Sequence, residues 1–385
     1  MLVGKSMTVA AAEDFLSSTA RALDDRARVP TRSQHHQAGG EPAMVQALVT
    51  WAQSVDRPML QTWVPNEADP DDQLGTLTRQ FFGLSAALLC DDAFAVDGTS
   101  VFASLRAKAL DRLELLQGEN IRAASRGPQF EILCADHLDK AAPSLLYDRD
   151  VEGQPTLKHP ESFMLVASKI RTAVSPYELP RTSAARFDSA LGGALYELFR
   201  NTEEHARVDD VGDKLKRSLR GIQARRHSIA PTKLRELVAG SPPLADFCER
   251  LRPLRATNLQ IQLIEISVLD SGPGYAASIT GRPLASLTLQ EEARAVRDCF
   301  LKHATRKEQT RSGLGLCNVV DILRDHGGFL RLRTGRQSLY ADLSLERDAV
   351  YGTLPNLREW PIGDDDAARA TGSLMTLLLP IVLDE

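Results

Sequence analysis

The segment that most constrains this chain is Leu259–Leu269, LQIQLIEISVL, together with the five residues after it. Its apolar and polar residues alternate and it is rich in β-branched side chains, so it reads as a strand. It stops abruptly at Asp270-Ser271-Gly272-Pro273-Gly274. An aspartate at a strand tip is placed to accept a hydrogen bond from an exocyclic amine, and the two glycines permit positive φ and close backbone approach. An ordinary strand-ending turn has the same composition. The segment gains meaning only from its neighbours along the chain.

Upstream, the apolar spacing predicts a helix over Ala184–Ala206. Glu197, Asn201 and His205 stand at i, i+4 and i+8 and share one face, while Leu191, Leu195, Leu198 and Phe199 form a packing face. An asparagine oxygen can ligate Mg²⁺, and a carboxylate one turn away can orient or deprotonate water. An exposed polar stripe on an amphipathic helix is the plainer reading of the same spacing. Downstream, Ser312-Gly313-Leu314-Gly315-Leu316 leads into a helical run, Cys317–His326, followed by Gly327-Gly328. A glycine-rich turn at a helix start presents free N–H groups and the positive dipole end, which suits phosphate. A turn that merely packs a helix closely fits equally well. Lys302, His303, Arg306, Lys307 and Arg311 form a basic stretch ahead of it, and Thr371-Gly372-Ser373 precedes a last strand, Leu374–Leu379.

This order of elements and chemistry resembles the Bergerat, or histidine-kinase-like, ATP-binding fold of gyrase, heat-shock chaperones, histidine kinases and MutL, over residues 179–385. The resemblance implies ATP and Mg²⁺ as ligands, with Asn201 as the metal ligand and Glu197 as the general base. It implies that Asp270 holds adenine, with Gly272 and Gly274 shaping that wall and the Ser373 hydroxyl standing where the family usually has threonine. Lys307, Gly313, Leu314, Gly315 and Leu316 would belong to a lid over the phosphates, and His205 ranks below Asn201. The implied architecture is an α/β sandwich, a mixed and mainly antiparallel sheet with helices on one face. Two stretches are longer than compact members need, near 230–255 and 336–370. The first is expected to hold helices around Thr232–Val238 and Pro243–Leu251, the second is aspartate-rich near Asp364–Asp366, and both are expected to project from the sheet edge.

The remaining residues, 1–178, read as a separate α/β or α-rich N-terminal domain with no chemical motif, ending at the proline-marked SPYELPRT, 175–182. Helices are expected over residues 8–24, Met44–Val55, Gln73–Leu89 and Val101–Leu116, and strands over Pro58–Val64 and Gln129–Cys134. Arg26–Gly40, with His35 and His36, reads as a basic solvated loop. Leu219–Ala230 reads as a strand pairing with the one before Asp270. Its arginines, with Lys214, Lys216 and Arg217, suggest a solvated basic face, with a nucleic-acid surface as the less favoured reading.

Composition narrows the partners. A chain of 385 residues with 43% hydrophobic and 25% charged residues suits two or three globular domains. A net charge of −5 argues against whole-protein attraction to nucleic acid or anionic membrane. The longest apolar runs, Phe82–Cys90 and Leu374–Leu383, are short of the roughly 20 residues a spanning helix needs. The N-terminal residues lack a signal peptide's apolar core. Five scattered cysteines read as reduced, buried thiols, and the expected compartment is the cytoplasm.

For the reaction, Glu197 favours an ATP-hydrolysing conformational or assembly switch. The alternative is a protein kinase acting in trans on histidine or serine, since Tyr196–Asn201 also resembles the mitochondrial dehydrogenase kinases. A self-phosphorylating sensor is disfavoured, because His137 and His159 lie in contexts unlike a phosphoacceptor helix. A protein partner, or self-association through the N-terminal domain or the insertions, is expected, and no membrane.

Overall fold

The structure is a computed structural model describing residues 1–21, 24–63, 70–175, 179–230, 234–251, 260–301, 315–362 and 367–381. The first part of the chain forms β1 (Ser6–Met7), α1 (Val9–Arg21), β2 (Arg26–Val29), β3 (His35–His36), α2 (Gly40–Ser54), β4 (Met59–Thr62), α3 (Pro70–Thr78), α4 (Phe81–Leu89), β5 (Asp92–Phe94) and α5 (Phe102–Gln117). A short α6 (Ile121–Ala124) leads into β6 (Ser125–Arg126), β7 (Gln129–Ala135), β8 (Tyr147–Arg149), β9 (Pro155–Leu157) and α7 (Pro160–Val174). Then follow α8 (Arg181–His205), β10 (Leu219–Ile229), α9 (Leu234–Val238), α10 (Pro242–Arg250), β11 (Ile261–Leu269), α11 (Tyr275–Thr280) and α12 (Leu289–Asp298). The chain closes with α13 (Gly315–His326), β12 (Phe329–Gly335), β13 (Gln337–Asp342), β14 (Arg358–Glu359) and β15 (Ala370–Pro380).

The protein is α/β. Its main sheet has eight strands in the order β14-β13-β12-β15-β11-β10-β7-β6, and every neighbouring pair is antiparallel rather than mixed. Among the described residues, parallel pairing occurs in two small sheets, β2-β4-β5 and β1-β3, and in an isolated bridge between Leu2 and Arg28. Helices cover both faces of the main sheet, not one. Successive side chains of a strand point to opposite faces. On β10, Arg225 reaches Glu41 of α2, whereas its neighbour Arg226 reaches the Val174 carbonyl at the end of α7. Thus α1 and α2 lie on one face and α7, α8 and α13 on the other.

The main sheet draws on both sides of the expected junction at residue 178. β7 pairs with β10 from Ala135↔Leu219 to Gln129↔Arg225, and one hydrophobic core contains residues from Val3 to Ile381. β7 covers the β10 edge, whose N–H and C=O groups would otherwise lie unpaired.

The long helix expected over Gln73–Leu89 is two helices, α3 and α4. The break is a close approach: a Cβ on Gly83 would fall 2.2 Å from the Leu77 carbonyl oxygen, so only glycine closes that corner. Arg26–Gly40 is structured by β2 and β3 rather than a free loop. The basic character of β10 is not solvated: Arg220 and Arg225 are buried, Arg220 on Asp136 and Glu203, Arg225 on Glu41. The expected pairing of this strand with β11 is present over nine residue pairs.

The two long stretches do not simply project. α9 and α10 bury Leu234, Leu244 and Phe247 with Leu263, Phe329, Trp360 and Leu378 in a second core against the sheet. Residues 336–370 contribute β13 and β14, which extend the sheet edge, and Asp364–Asp366 lie outside the described residues. All five cysteines are free, four of them buried and Cys299 half-buried. Among the described residues, no helix is long and apolar enough to cross a membrane.

Candidate functional site

The site is built along α8. Phe187, Leu191, Leu195, Leu198 and Phe199 form its buried stripe, which rotates Glu197, Asn201 and His205 away from the deepest packing and onto a common line. At about 1.5 Å per residue, the eight steps from Glu197 to His205 span about 12 Å. One end of that line meets the Asp270 loop and the other meets the start of α13.

At the first end, a Cβ on Gly272 would fall 2.5 Å from the His205 carbonyl oxygen and 2.9 Å from the Ala206 Cα. Glycine here lets the loop lie directly on the last turn of α8. Asp270 is buried, and both of its carboxylate oxygens are held: Oδ1 accepts the Gly272 N–H at 2.8 Å and Oδ2 accepts the Ser373 hydroxyl. The backbones lock in the same way. The Asp270 N–H donates to the Ser373 carbonyl at 2.9 Å, and the Gly372 N–H to the Gly272 carbonyl at 2.8 Å. Gly372 has φ +68°, and a Cβ there would fall 1.9 Å from the Asp270 carbonyl oxygen, so no other residue fits. Burial pushes the Asp270 carboxyl above its ordinary range, while the Ser373 and Gly272 hydrogen bonds hold it back.

Three contributors were not evident in the sequence. The Tyr275 hydroxyl meets the side chains of Asn201 and Ser373, and burial raises its pKa. Tyr275 therefore stands between the α8 line and the Asp270–Ser373 wall. The Thr334 hydroxyl accepts the Tyr275 N–H at 3.1 Å and donates to the Gly372 carbonyl at 3.2 Å. The Ser271 hydroxyl accepts the Leu219 N–H at 2.6 Å and donates to the Leu219 carbonyl at 2.7 Å, pinning the loop to the start of β10. The sequence signals were a serine inside the Asp270–Gly274 turn, a tyrosine directly after its second glycine and a threonine next to the last residue of β12.

At the other end, a Cβ on Gly315, the first residue of α13, would fall 2.9 Å from Glu197 Oε2. Glu197 thus lies beside the first described turn of that helix. Its carboxylate lies 2.8 Å from Arg200 Nη2, yet Oε2 accepts no well-aligned hydrogen bond among the described residues. Burial raises the Glu197 carboxyl above its ordinary range; the Arg200 charge opposes this and Glu204 adds to it. Leu316 is a core residue of α13 and not an exposed loop contact. Lys307, Gly313 and Leu314 lie outside the described residues.

The structure therefore brings Asn201, Asp270, Gly272, Gly274 and Ser373 together, with Glu197 and Gly315 one helical turn beyond Asn201. Comparison with family models, with curated proteins and with solved structures gives no match to this chain.

Proposed function

We propose that this protein binds ATP with Mg²⁺ along α8 and hydrolyses it as a conformational or assembly switch, in a site of the Bergerat type. The observation that carries the proposal is the meeting of three distant segments on one line: the Asp270 loop, Asn201, and Glu197 against the start of α13.

Each group has chemistry suited to its place. A carboxylate oxygen can accept two hydrogen bonds, so Asp270 keeps acceptor capacity for an exocyclic amine beyond the bonds from Gly272 and Ser373. Among the described residues no group of three or more His, Cys, Asp or Glu is arranged to hold a metal. The donor set suits an ion that keeps much of its shell as phosphate oxygens and water, as Mg²⁺ does, with Asn201 as the protein ligand. Bound there, the ion would neutralise phosphate charge. Glu197 would orient and deprotonate the attacking water, and its raised pKa makes it a stronger base than an ordinary carboxylate. The start of α13 would face the phosphates.

The competing reading, phosphoryl transfer to a protein partner, draws on a surface groove of about 370 Å³ beside Glu197, lined by Gly193, Tyr196, Asn318, Asp321 and Tyr351. Incubation with γ-labelled ATP separates the two: released phosphate with unlabelled protein supports the switch, and label on a co-incubated partner supports the kinase. Glu197→Ala is expected to abolish turnover while ATP stays bound. Full turnover in that variant would remove Glu197 from the role of base.

A further inference from the structure

Helix α2 lies on the face of the main sheet opposite α8 and is buried from Gly40 to Ala52. Gln46, Thr50 and Gln53 stand at i, i+4 and i+7, one polar stripe in an otherwise largely apolar helix. Their partners are backbone groups of β12, of β15 and of the segments flanking β10 and β11. Gln46 Nε2 donates to the Arg333 carbonyl at 3.1 Å and the Thr371 carbonyl at 3.2 Å. Thr50 Oγ1 accepts the Thr371 N–H at 2.9 Å. Gln53 Nε2 donates to the Arg217 carbonyl at 2.8 Å and the Ser271 carbonyl at 3.3 Å.

Three of these four backbone partners adjoin the candidate site. Arg333 precedes Thr334, Thr371 precedes Gly372 and Ser373, and Ser271 stands between Asp270 and Gly272. The ladder is broken at that point: Thr334 pairs with Ser373 and Gly335 with Ala370, so Thr371 and Gly372 bulge out of β15. A bulged residue loses its ladder partners, and a buried backbone group must find others. α2 supplies them for Thr371, through Thr50 for its N–H and Gln46 for its carbonyl.

We infer that Gln46, Thr50 and Gln53 are positioning residues for the nucleotide pocket, which makes a helix of the N-terminal region part of the ATP site. They set the spacing of the segments that carry Asp270, Ser373 and Thr334. The inference rests on the nucleotide reading of that pocket. Supporting groups of this kind hold a site within fractions of an ångström, and their loss is felt as weaker and less discriminating binding.

The test is calorimetric titration of the full chain with ATP or GTP and Mg²⁺, beside thermal melts, for wild type, Gln46→Leu, Thr50→Val and Thr50→Ser. Gln37→Leu serves as the control. Gln37 is buried between the Val9 N–H and the Val238 carbonyl and touches none of the three site segments. Thr50→Val and Gln46→Leu are expected to raise the Kd for ATP roughly five- to tenfold for each bond removed and to narrow the preference for ATP over GTP. Thr50→Ser restores both, and Gln37→Leu lowers Tm with the Kd unchanged. Wild-type protein that binds neither nucleotide overturns the nucleotide reading and this inference with it. Wild type that binds while Thr50→Val binds equally tightly overturns only the positioning role. Should Thr50→Val fail to fold, hydrogen exchange on wild type decides. ATP is expected to slow exchange in α2 as well as in residues 334–336 and 370–373, and protection of those loops alone overturns the inference.

Discussion

Replacing Asp270 by asparagine separates the fold from the function it is proposed to serve. The Gly272 N–H at 2.8 Å requires an oxygen at the Oδ1 position, so the new amide nitrogen must take the Oδ2 position, facing Ser373 and the pocket. The Ser373 hydroxyl can rotate to accept from that nitrogen, which keeps the internal network closed. Burial already disfavours the ionised aspartate, so removal of the charge relieves part of that cost. The expected change in stability is within about 1 kcal/mol. Binding should respond very differently. An adenine amine that donated to a carboxylate now meets another N–H donor, and a hydrogen bond to a charged group contributes about 1.5–3 kcal/mol. ATP affinity should therefore fall about 10- to 150-fold. Calorimetry measures the affinity and a urea melt measures the stability. Unchanged ATP affinity in a folded variant would refute the assignment of Asp270 to the base, and a loss of stability matching the loss of binding would refute the argument for the closed network.

Three further outcomes follow from the buried charges. Burial raises Glu197 above the ordinary carboxylate range, so the acid limb of turnover should lie above that range, and Arg200→Gln, which removes the opposing charge, should move it higher still; a limb unmoved in Arg200→Gln would count against Glu197 as base. Glu13 is buried and accepts from Arg331 and from the Nε and Nη2 of Arg333, so Glu13→Ala should cost about 3–5 kcal/mol in urea unfolding, while Arg331→Met should cost far less, because burial pushes Arg331 down to about 10 and two of its nitrogens have no hydrogen-bond partner among the described residues. His36 is lowered to about 4, chiefly by burial and then by the Arg225 charge. The unfolded chain therefore takes up its proton first as pH falls from 6.5 toward 4, stability drops by up to about 3 kcal/mol across that window, and His36→Asn should flatten the drop in a pH series of urea melts.

The parts of this molecule legible in the sequence are those whose chemistry is local. β11 and its Asp-Ser-Gly-Pro-Gly tip could be read because alternation and turn glycines act over a few residues, and the α8 line because helical spacing fixes which side chains share a face. The polar side of the main sheet was not legible. Arg225 reads as a solvated strand residue, and only the fold brings Glu41 to it from 184 positions away. The same holds for Glu13, which meets Arg333 across 320 positions, and for Gln46, whose partners lie beyond residue 330. A strand that alternates charged and apolar residues looks half-exposed whether water or a buried carboxylate waits on its charged side. Helices on both faces were missed for that reason. The roles of Tyr275 and Thr334 depend on contacts between elements far apart in the chain, which no local pattern carries.

The central claim is that one nucleotide spans Asp270, Asn201 and the start of α13. A structure of the full chain with a non-hydrolysable ATP analogue and Mg²⁺ tests it most directly. The account predicts the adenine amine within hydrogen-bond reach of Asp270 and the metal about 2.0–2.1 Å from the Asn201 side-chain oxygen. A nucleotide bound on any other surface, with Asn201 still on Tyr275 and no metal beside it, would contradict the account.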